Sequence, residues 1–176
     1  MKEVTYTLTE NRPLTADVYK MTLAGDTSAI ERPGQFVNLK LDGLFLRRPI
    51  SVCDWDENTL TLIYKAVGKG TARMAEMAPG DSLDALVGLG NGYDVDACPE
   101  APVLVGGGVG VPPLYGLAKR LIAAGKRPSV ILGFNTADEI FYDMEFAALG
   151  VPVAVTTVDG TAGRRGFVTD ALPQGA

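Results

Sequence analysis

Histidine is absent from this 176-residue chain. Its absence removes the commonest general base, any Ser-His-Asp triad and most zinc sites. Chemistry done without histidine is usually borrowed from a cofactor. Cysteine is almost absent as well: Cys53 and Cys98 lie far apart with no C-x-x-C spacing, and they read as thiols rather than a disulfide framework. Basic charge is outnumbered, 16 Lys and Arg against 21 Asp and Glu for a net charge of -5, and no Lys/Arg cluster offers a stripe for phosphates. Nucleic acid is therefore not an expected partner. No apolar run approaches the ~20 residues of a membrane helix. The opening MKEVTYTLTE lacks the apolar core of a signal peptide. The expectation is a cytoplasmic protein without a membrane partner.

What is present is ordinary globular material, 47% hydrophobic and 21% charged, enough for a sizeable core. It is written in two grammars. In the first half Val4, Tyr6 and Leu8 alternate with polar neighbours. So do Tyr19, Met21 and Leu23; Val37, Leu39 and Leu41; Leu60, Leu62 and Tyr64; and Leu83, Ala85 and Val87. Period two predicts half-buried strands, separated by turn chemistry at residues 11–13, 32–34, 54–58 and 78–81. Strands so spaced suggest a small antiparallel barrel or sandwich. One helix interrupts them at residues 71–78, with Met74 and Met77 on one side.

From Pro99 the grammar changes. APVLVGGGVG reads as a buried strand running into a glycine turn. Leu114, Leu117, Ala118, Leu121 and Ile122 then give a helix with one apolar face. PSVILGF is a second strand, residues 136–149 a second helix with Thr136 and Glu139 as a capping box, and VPVAVTTV a third strand. This order implies a parallel sheet with right-handed crossovers. The spacing predicts domains at 1–98 and 99–176. The sheet would have three strands and an open edge. The second domain reads as C-terminally truncated.

Two stretches carry candidate chemistry. VLVGGGVGVPPL joins strand to helix, where glycines let a backbone approach phosphate and a helix N-terminus offers free N–H donors. It departs from the G-x-G-x-x-G fingerprint: counted from Gly106 or Gly108, the third glycine position holds Val111 or Pro113. No acidic residue ends the second strand either, which closes on Asn135. A nucleotide site and a plain glycine-rich turn both remain open on these residues alone. FLRRPISVCD places Arg47, Arg48 and Ser51 after a greasy strand, and LIYKAVGKGT runs a strand into a second helix start. An arginine on a barrel strand beside a helix N-terminus makes a clamp for a pyrophosphate. Surface solvation and turn formation are the plainer alternatives.

Taken together, FLRRPISVCD, LIYKAVGKGT, LGNGYD, VLVGGGVGVPPL and GFNTADEIFY span most of the chain in the order found in the ferredoxin-reductase superfamily. Within it the chain most resembles the electron-transfer subunits of NAD-dependent dihydroorotate dehydrogenases. The resemblance implies an FAD-binding barrel followed by a partial NAD-binding α/β lobe. Arg48, Pro49, Ile50 and Ser51 would be the flavin signature, Arg48 on the FAD pyrophosphate and Ser51 near the reactive nitrogen of the ring. Ile63, Tyr64 and Lys65 would line the flavin, with Tyr64 as an aromatic surface. Gly70 and Thr71 would hold phosphate, and Gly106, Gly107, Gly108 and Gly110 would face the nicotinamide nucleotide. The implied partner is an FMN-containing dihydroorotate dehydrogenase catalytic subunit, in a heterotetramer, with electrons crossing a [2Fe–2S] cluster to FAD and leaving as hydride to NAD. In the family four closely spaced cysteines near the C-terminus hold that cluster. This chain has no such set, so the cluster is expected not to be ligated by it. The alternatives are a flavin subunit of a hydrogenase, sulfide or ferredoxin oxidoreductase complex, or a non-catalytic nucleotide-binding remnant.

Overall fold

The period-two stretches close on themselves. In the computed structural model, which describes residues 1–173, six strands form a closed antiparallel barrel: β1 (Lys2–Pro13), β2 (Val18–Ala24), β3 (Phe36–Lys40), β4 (Arg48–Trp55), β5 (Thr59–Lys65) and β6 (Ser82–Leu89), in the order β1-β2-β5-β4-β3-β6. Closure removes the exposed edges that an open sheet leaves. β1 makes closure possible by pairing with β6 over its first half and with β2 over its second, with an irregularity between Leu8 and Glu10. The inward residues of each strand, among them Tyr6, Leu8, Met21, Leu23, Leu39 and Leu62, form one buried core. Met74 of helix α1 (Lys69–Ala75) plugs it.

Three local expectations need correction in this half. Residues 11–13 are not a turn, because β1 runs through them to Pro13. The helix expected at 71–78 begins two residues earlier, at Lys69, and ends at Ala75. The greasy segment before the arginines is a loop rather than a strand, with Phe45 wholly exposed and Leu46 68% exposed.

The chain divides into two compact units, Met1–Tyr93 and the part from Asp94 onward. Lys126 gives the physical reason that residues 94–98 go with the second: its ammonium donates to the carbonyls of Val95, Asp96 and Cys98. This unit holds β7 (Val103–Gly107), α2 (Pro112–Ala123), β8 (Ser129–Phe134), α3 (Asp143–Ala148), β9 (Val153–Thr157) and β10 (Arg164–Arg165). The sheet is parallel in the order β10-β9-β8-β7, so a short fourth strand covers the edge that the sequence leaves open. α2 buries Leu114, Leu117, Ala118 and Leu121 as its pattern predicts, while Ile122 lies at the margin, 37% exposed. The last three residues of the segment 99–176 lie outside the described residues. No helix among those described is long and apolar enough to cross a membrane.

The single helix expected at 136–149 is two pieces, a 3-10 turn at Ala137–Glu139 and then α3. The break is Tyr142, at φ +67°, a left-handed conformation that costs a bulky residue free energy. An aromatic cluster holds it there: its ring meets Tyr115 edge-on at 5.1 Å and Phe141 at 6.4 Å. The capping box does not form, since Thr136 makes no side-chain cap.

Asn11 ties α1 to the barrel. Its amide donates to the carbonyls of Met74 and Met77 at 2.8 and 3.0 Å, satisfying the helix's open C-terminus, and its oxygen accepts from the buried Tyr64 hydroxyl at 3.1 Å. Asn11→Ala should lower stability by about 1–3 kcal/mol, the cost of leaving a buried donor unsatisfied. Chemical denaturation measures it, and a midpoint equal to wild type would show that water replaces the amide.

Candidate functional site

Arg48 opens β4 at the rim of the barrel. Ile50 packs against the core and Val52 is within it, so alternation turns Pro49 and the half-exposed Ser51 to the outer face. Ser51 stands opposite Phe36 of β3, and Phe36 stands opposite Leu89 of β6. The register therefore brings the RPIS segment beside the LGNGYD loop. Gln35, 7% exposed, fastens this arrangement: its amide donates to the Gly90 carbonyl at 3.0 Å and its oxygen accepts from the amides of Glu31 and Arg32.

The two arginines have different fates. Arg47 is neutralised by Glu3 at 2.6 Å and also donates to the Asn38 carbonyl. Arg48 has no carboxylate within ion-pair distance among the described residues, and it donates only to the Leu46 carbonyl. Its guanidinium lies across Gly70. A Cβ at that glycine would stand 1.9 Å from the guanidinium Nε and 2.6 Å from its central carbon. Glycine here lets the guanidinium lie this close to the helix; a side chain would push it aside. The guanidinium rests on the first turn of α1, where the amides of Lys69, Gly70 and Thr71 have no acceptor within the helix and the dipole is positive. Like signs meet, which is unfavourable until an anion sits between them.

Two neighbouring residues take other roles than their sequence suggests. The Thr71 hydroxyl is turned into its own loop. It accepts from the amides of Val67 and Gly68 at 3.0 and 3.2 Å and donates to the Gly68 carbonyl, so an anion at this helix start meets the Thr71 amide, not its hydroxyl. Tyr64 is not an outward aromatic surface. Its ring is 2% exposed inside the barrel, stacked on Tyr19 at 5.9 Å, and burial pushes its hydroxyl far above the usual phenol range. Ile63 is buried on the opposite side of β5 from the core, and Lys65 pairs with Asp17 at 3.1 Å.

In the second unit the glycines divide their work. Gly106 is a packing position: a Cβ there would stand 2.7 Å from Leu114 and 3.0 Å from the Gly110 carbonyl, so β7 and α2 could not approach as they do. Gly108, at φ +51°, makes the turn. Gly107 and Gly108 line a cavity of about 220 Å³ at the carboxyl ends of β7, β8 and β9, and Gly110 faces open space. The free N–H donors expected at the start of α2 are largely missing. Pro112 and Pro113 carry none, and the amides of Val111 and Leu114 are spent on the carbonyls of Gly108 and Val111 at 3.1 Å each. The dipole remains, but the donors for a phosphate must come from the glycine loop.

A broader concavity of about 610 Å³ lies on the barrel unit between Lys40, Arg73, Glu76 and Asp84. Its wall mixes both signs and brings together none of the candidate residues. Among the described residues no group of three or more His, Cys, Asp or Glu side chains could hold a metal ion. Cys53 is a buried barrel residue and Cys98 a half-buried one in the second unit. They do not make the four-thiolate set that a [2Fe–2S] cluster takes.

No family model matches the chain. It is 45% identical over 180 residues to the dihydroorotate dehydrogenase B (NAD(+)) electron transfer subunit of Fusobacterium nucleatum, an alignment spanning 98% of this chain and 69% of that one. It is 41% identical over 184 residues to the subunit of the same name from a Geobacillus species, spanning 100% and 71%. Among solved structures, an NADH-dependent reduced ferredoxin-NADP oxidoreductase studied for flavin-based electron bifurcation superposes with a TM-score of 0.83 at 33% identity, over 94% of this chain and 61% of that one. The FAD/NAD binding domain of a Vibrio cholerae nitric oxide dioxygenase superposes with a TM-score of 0.83 over 98% of this chain and 80% of its own; at 19% identity it shows the fold alone.

Gly106→Ala should destabilise the second unit by about 1–3 kcal/mol through overpacking against Leu114. Denaturant unfolding monitored in that unit checks it, and an unchanged midpoint would mean that Leu114 swings aside without cost.

Proposed function

The chain belongs to the family of dihydroorotate dehydrogenase B (NAD(+)) electron transfer subunits, and on that premise we propose that it binds FAD at the barrel rim and relays electrons between a dihydroorotate dehydrogenase catalytic subunit and NAD. The observation that carries the proposal is Arg48: a guanidinium without a carboxylate, laid over Gly70 against the open amides of α1. A diphosphate supplies the negative charge that this arrangement lacks.

FAD, when bound, supplies the hydride and single-electron chemistry that this histidine-free chain cannot perform with side chains. The residues hold and orient. Arg48 and the amides of residues 69–71 grip the diphosphate. Ser51, on the outer face of β4, offers a hydroxyl to the flavin ring. Pro49 and Ile50 fix the strand that presents it, and the backbone of Ile63, Tyr64 and Lys65 forms the neighbouring strand. Tyr64 contributes by stiffening the barrel rather than by contact. In the second unit Gly107 and Gly108 leave room for a nucleotide, Gly106 sets the strand–helix spacing, and Gly110 keeps the loop open. Cys53 and Cys98 do not supply the four thiolates that an iron–sulfur cluster takes.

The proposed assembly is a heterotetramer with FMN-containing catalytic subunits in the cytoplasm. A second reading, carried by the 33% identity to the NADH-dependent reduced ferredoxin-NADP oxidoreductase, keeps the FAD and NAD sites but replaces the catalytic partner with a ferredoxin-linked one.

Replacing Arg48 separates this proposal from plain surface solvation. A charge-assisted hydrogen bond is worth about 1.5–3 kcal/mol, so Arg48→Ala should weaken FAD binding roughly 10- to 100-fold. Arg47→Ala, which removes a residue already paired with Glu3, should change it by less than about two-fold. Fluorescence titration of FAD into the apoprotein gives both constants. Wild-type affinity in Arg48→Ala would overturn the clamp.

A further inference from the structure

The chain crosses between its two units once, at Tyr93–Asp94, and both sides of that crossing are anchored. On the barrel side the Tyr93 N–H donates to the Pro33 carbonyl at 2.7 Å, and the Tyr93 ring lies over Gly34. Gly90 is held by the Gln35 amide. A Cβ at Gly92 would stand 2.6 Å from Arg32 and 2.8 Å from the Pro33 carbonyl, so the loop is packed up to the crossing. On the other side Asp94 begins a turn that closes on itself. Its Oδ1 accepts from the amides of Asp96 and Ala97 at 3.1 and 3.3 Å, and the Cys98 N–H donates to the Val95 carbonyl at 3.3 Å.

Lys126 fastens this turn to the second unit. α2 stops at a left-handed glycine, Gly125 at φ +78°, and the Lys126 N–H reaches back to the Leu121 carbonyl at 2.9 Å. From that reversal the Lys126 side chain extends to residues 94–98, where an ammonium with three donors meets three carbonyls. They are Val95 at 2.6 Å, Asp96 at 3.2 Å and Cys98. The seam continues in the backbone: the Arg127 N–H donates to the Glu100 carbonyl at 2.9 Å and the Ser129 N–H to the Pro102 carbonyl at 3.0 Å. We propose that Lys126 is a positioning residue. By welding residues 95–98 to the second unit it leaves Tyr93 and Asp94 as the swivel between the units, and so sets how readily a nucleotide on one reaches a flavin on the other.

Length is the reason that one side chain matters. A link of Tyr93 and Asp94 alone transmits few torsions. Without the ammonium, the carbonyls of Val95, Asp96 and Cys98 turn to water, and the free link runs over residues 93–98. The effective concentration of one tethered group at another falls roughly as the −3/2 power of link length, so a link about three times as long costs roughly five-fold.

This inference rests on the reading that FAD is held by the barrel unit and NAD by the second, and the test keeps the two apart. Lys126→Met keeps the side chain's length and removes its charge; Lys126→Arg restores a charged donor. Hydrogen exchange at the amides of Asp96, Ala97 and Cys98 in the full chain, without cofactor, reads the clasp. It should quicken at least about ten-fold in Lys126→Met. Stopped-flow reduction of bound FAD by NADH reads the function. At saturating NADH the Lys126→Met rate should fall roughly five-fold. The FAD affinity, the half-saturating NADH concentration and the rate of reduction by dithionite, which needs no second unit, should stay at wild type. Lys126→Arg should recover most of the loss in both readouts. Should Lys126→Met fold poorly, Asp94→Ala opens the same turn from its other end and should slow the NADH rate alike. Quickened exchange with a wild-type NADH rate would overturn the positioning role, and unchanged exchange would overturn the clasp itself. A wild-type chain that binds FAD but is not reduced by NADH would overturn the electron-transfer reading and the positioning role with it, while the exchange result still decides the clasp.

Discussion

A guanidinium held against the positive end of a helix is the constraint from which the barrel unit is best understood. Arg48 leaves the rim of β4 and covers the first turn of α1, and the approach is so close that a side chain at position 70 would displace the guanidinium. Everything around it fixes that meeting. Asn11 bonds the far end of α1 to β1, Met74 anchors the helix in the core, and Thr71 folds the loop that starts it. The rigid side of the barrel bears an arrangement that is electrostatically unfavourable when empty, as binding sites often do.

The second unit solves a related problem with fewer donors. Its glycine turn lets β7 and α2 pack through Gly106, but two prolines open the helix and remove the amides that a phosphate would ordinarily meet. What the unit offers instead is a cavity at the carboxyl ends of its strands, with the Glu139 carboxylate and the buried Thr156 hydroxyl in a mostly apolar wall.

How much of this was legible in the sequence follows from the range of the interactions involved. Five of the six barrel strands were, because alternation is local and one buried face repeats it, whereas β4 shows no such alternation in its sequence; α2 was, because its stripe is continuous. The arginine motif and the second helix start were visible as separate signals. Their meeting was not, because it depends on Gly70 lying under a residue 22 positions earlier in the chain. Asn11 looked like turn chemistry and proved to be a helix cap, since the helix carbonyls it bonds are more than 60 residues away. Tyr64 looked like a flavin platform; the strand's register sends it inward instead. The helix expected at 136–149 breaks at Tyr142 because aromatic rings from α2 and its own loop stabilise a backbone that local propensity disfavours. Glu139 was counted as a capping residue. Its carboxylate accepts instead from Asn135 at the end of β8, bonds visible only once the strand end is in place.

The central claim is that the barrel rim binds a diphosphate, with the flavin ring following from it. The most direct measurement compares the affinities of FAD and riboflavin for the full-length apoprotein at low and high salt. The account predicts FAD tighter by at least about 100-fold at low salt, as expected of two or more charge-assisted contacts, with the advantage shrinking as salt rises. Equal affinities for FAD and riboflavin, insensitive to salt, would contradict it.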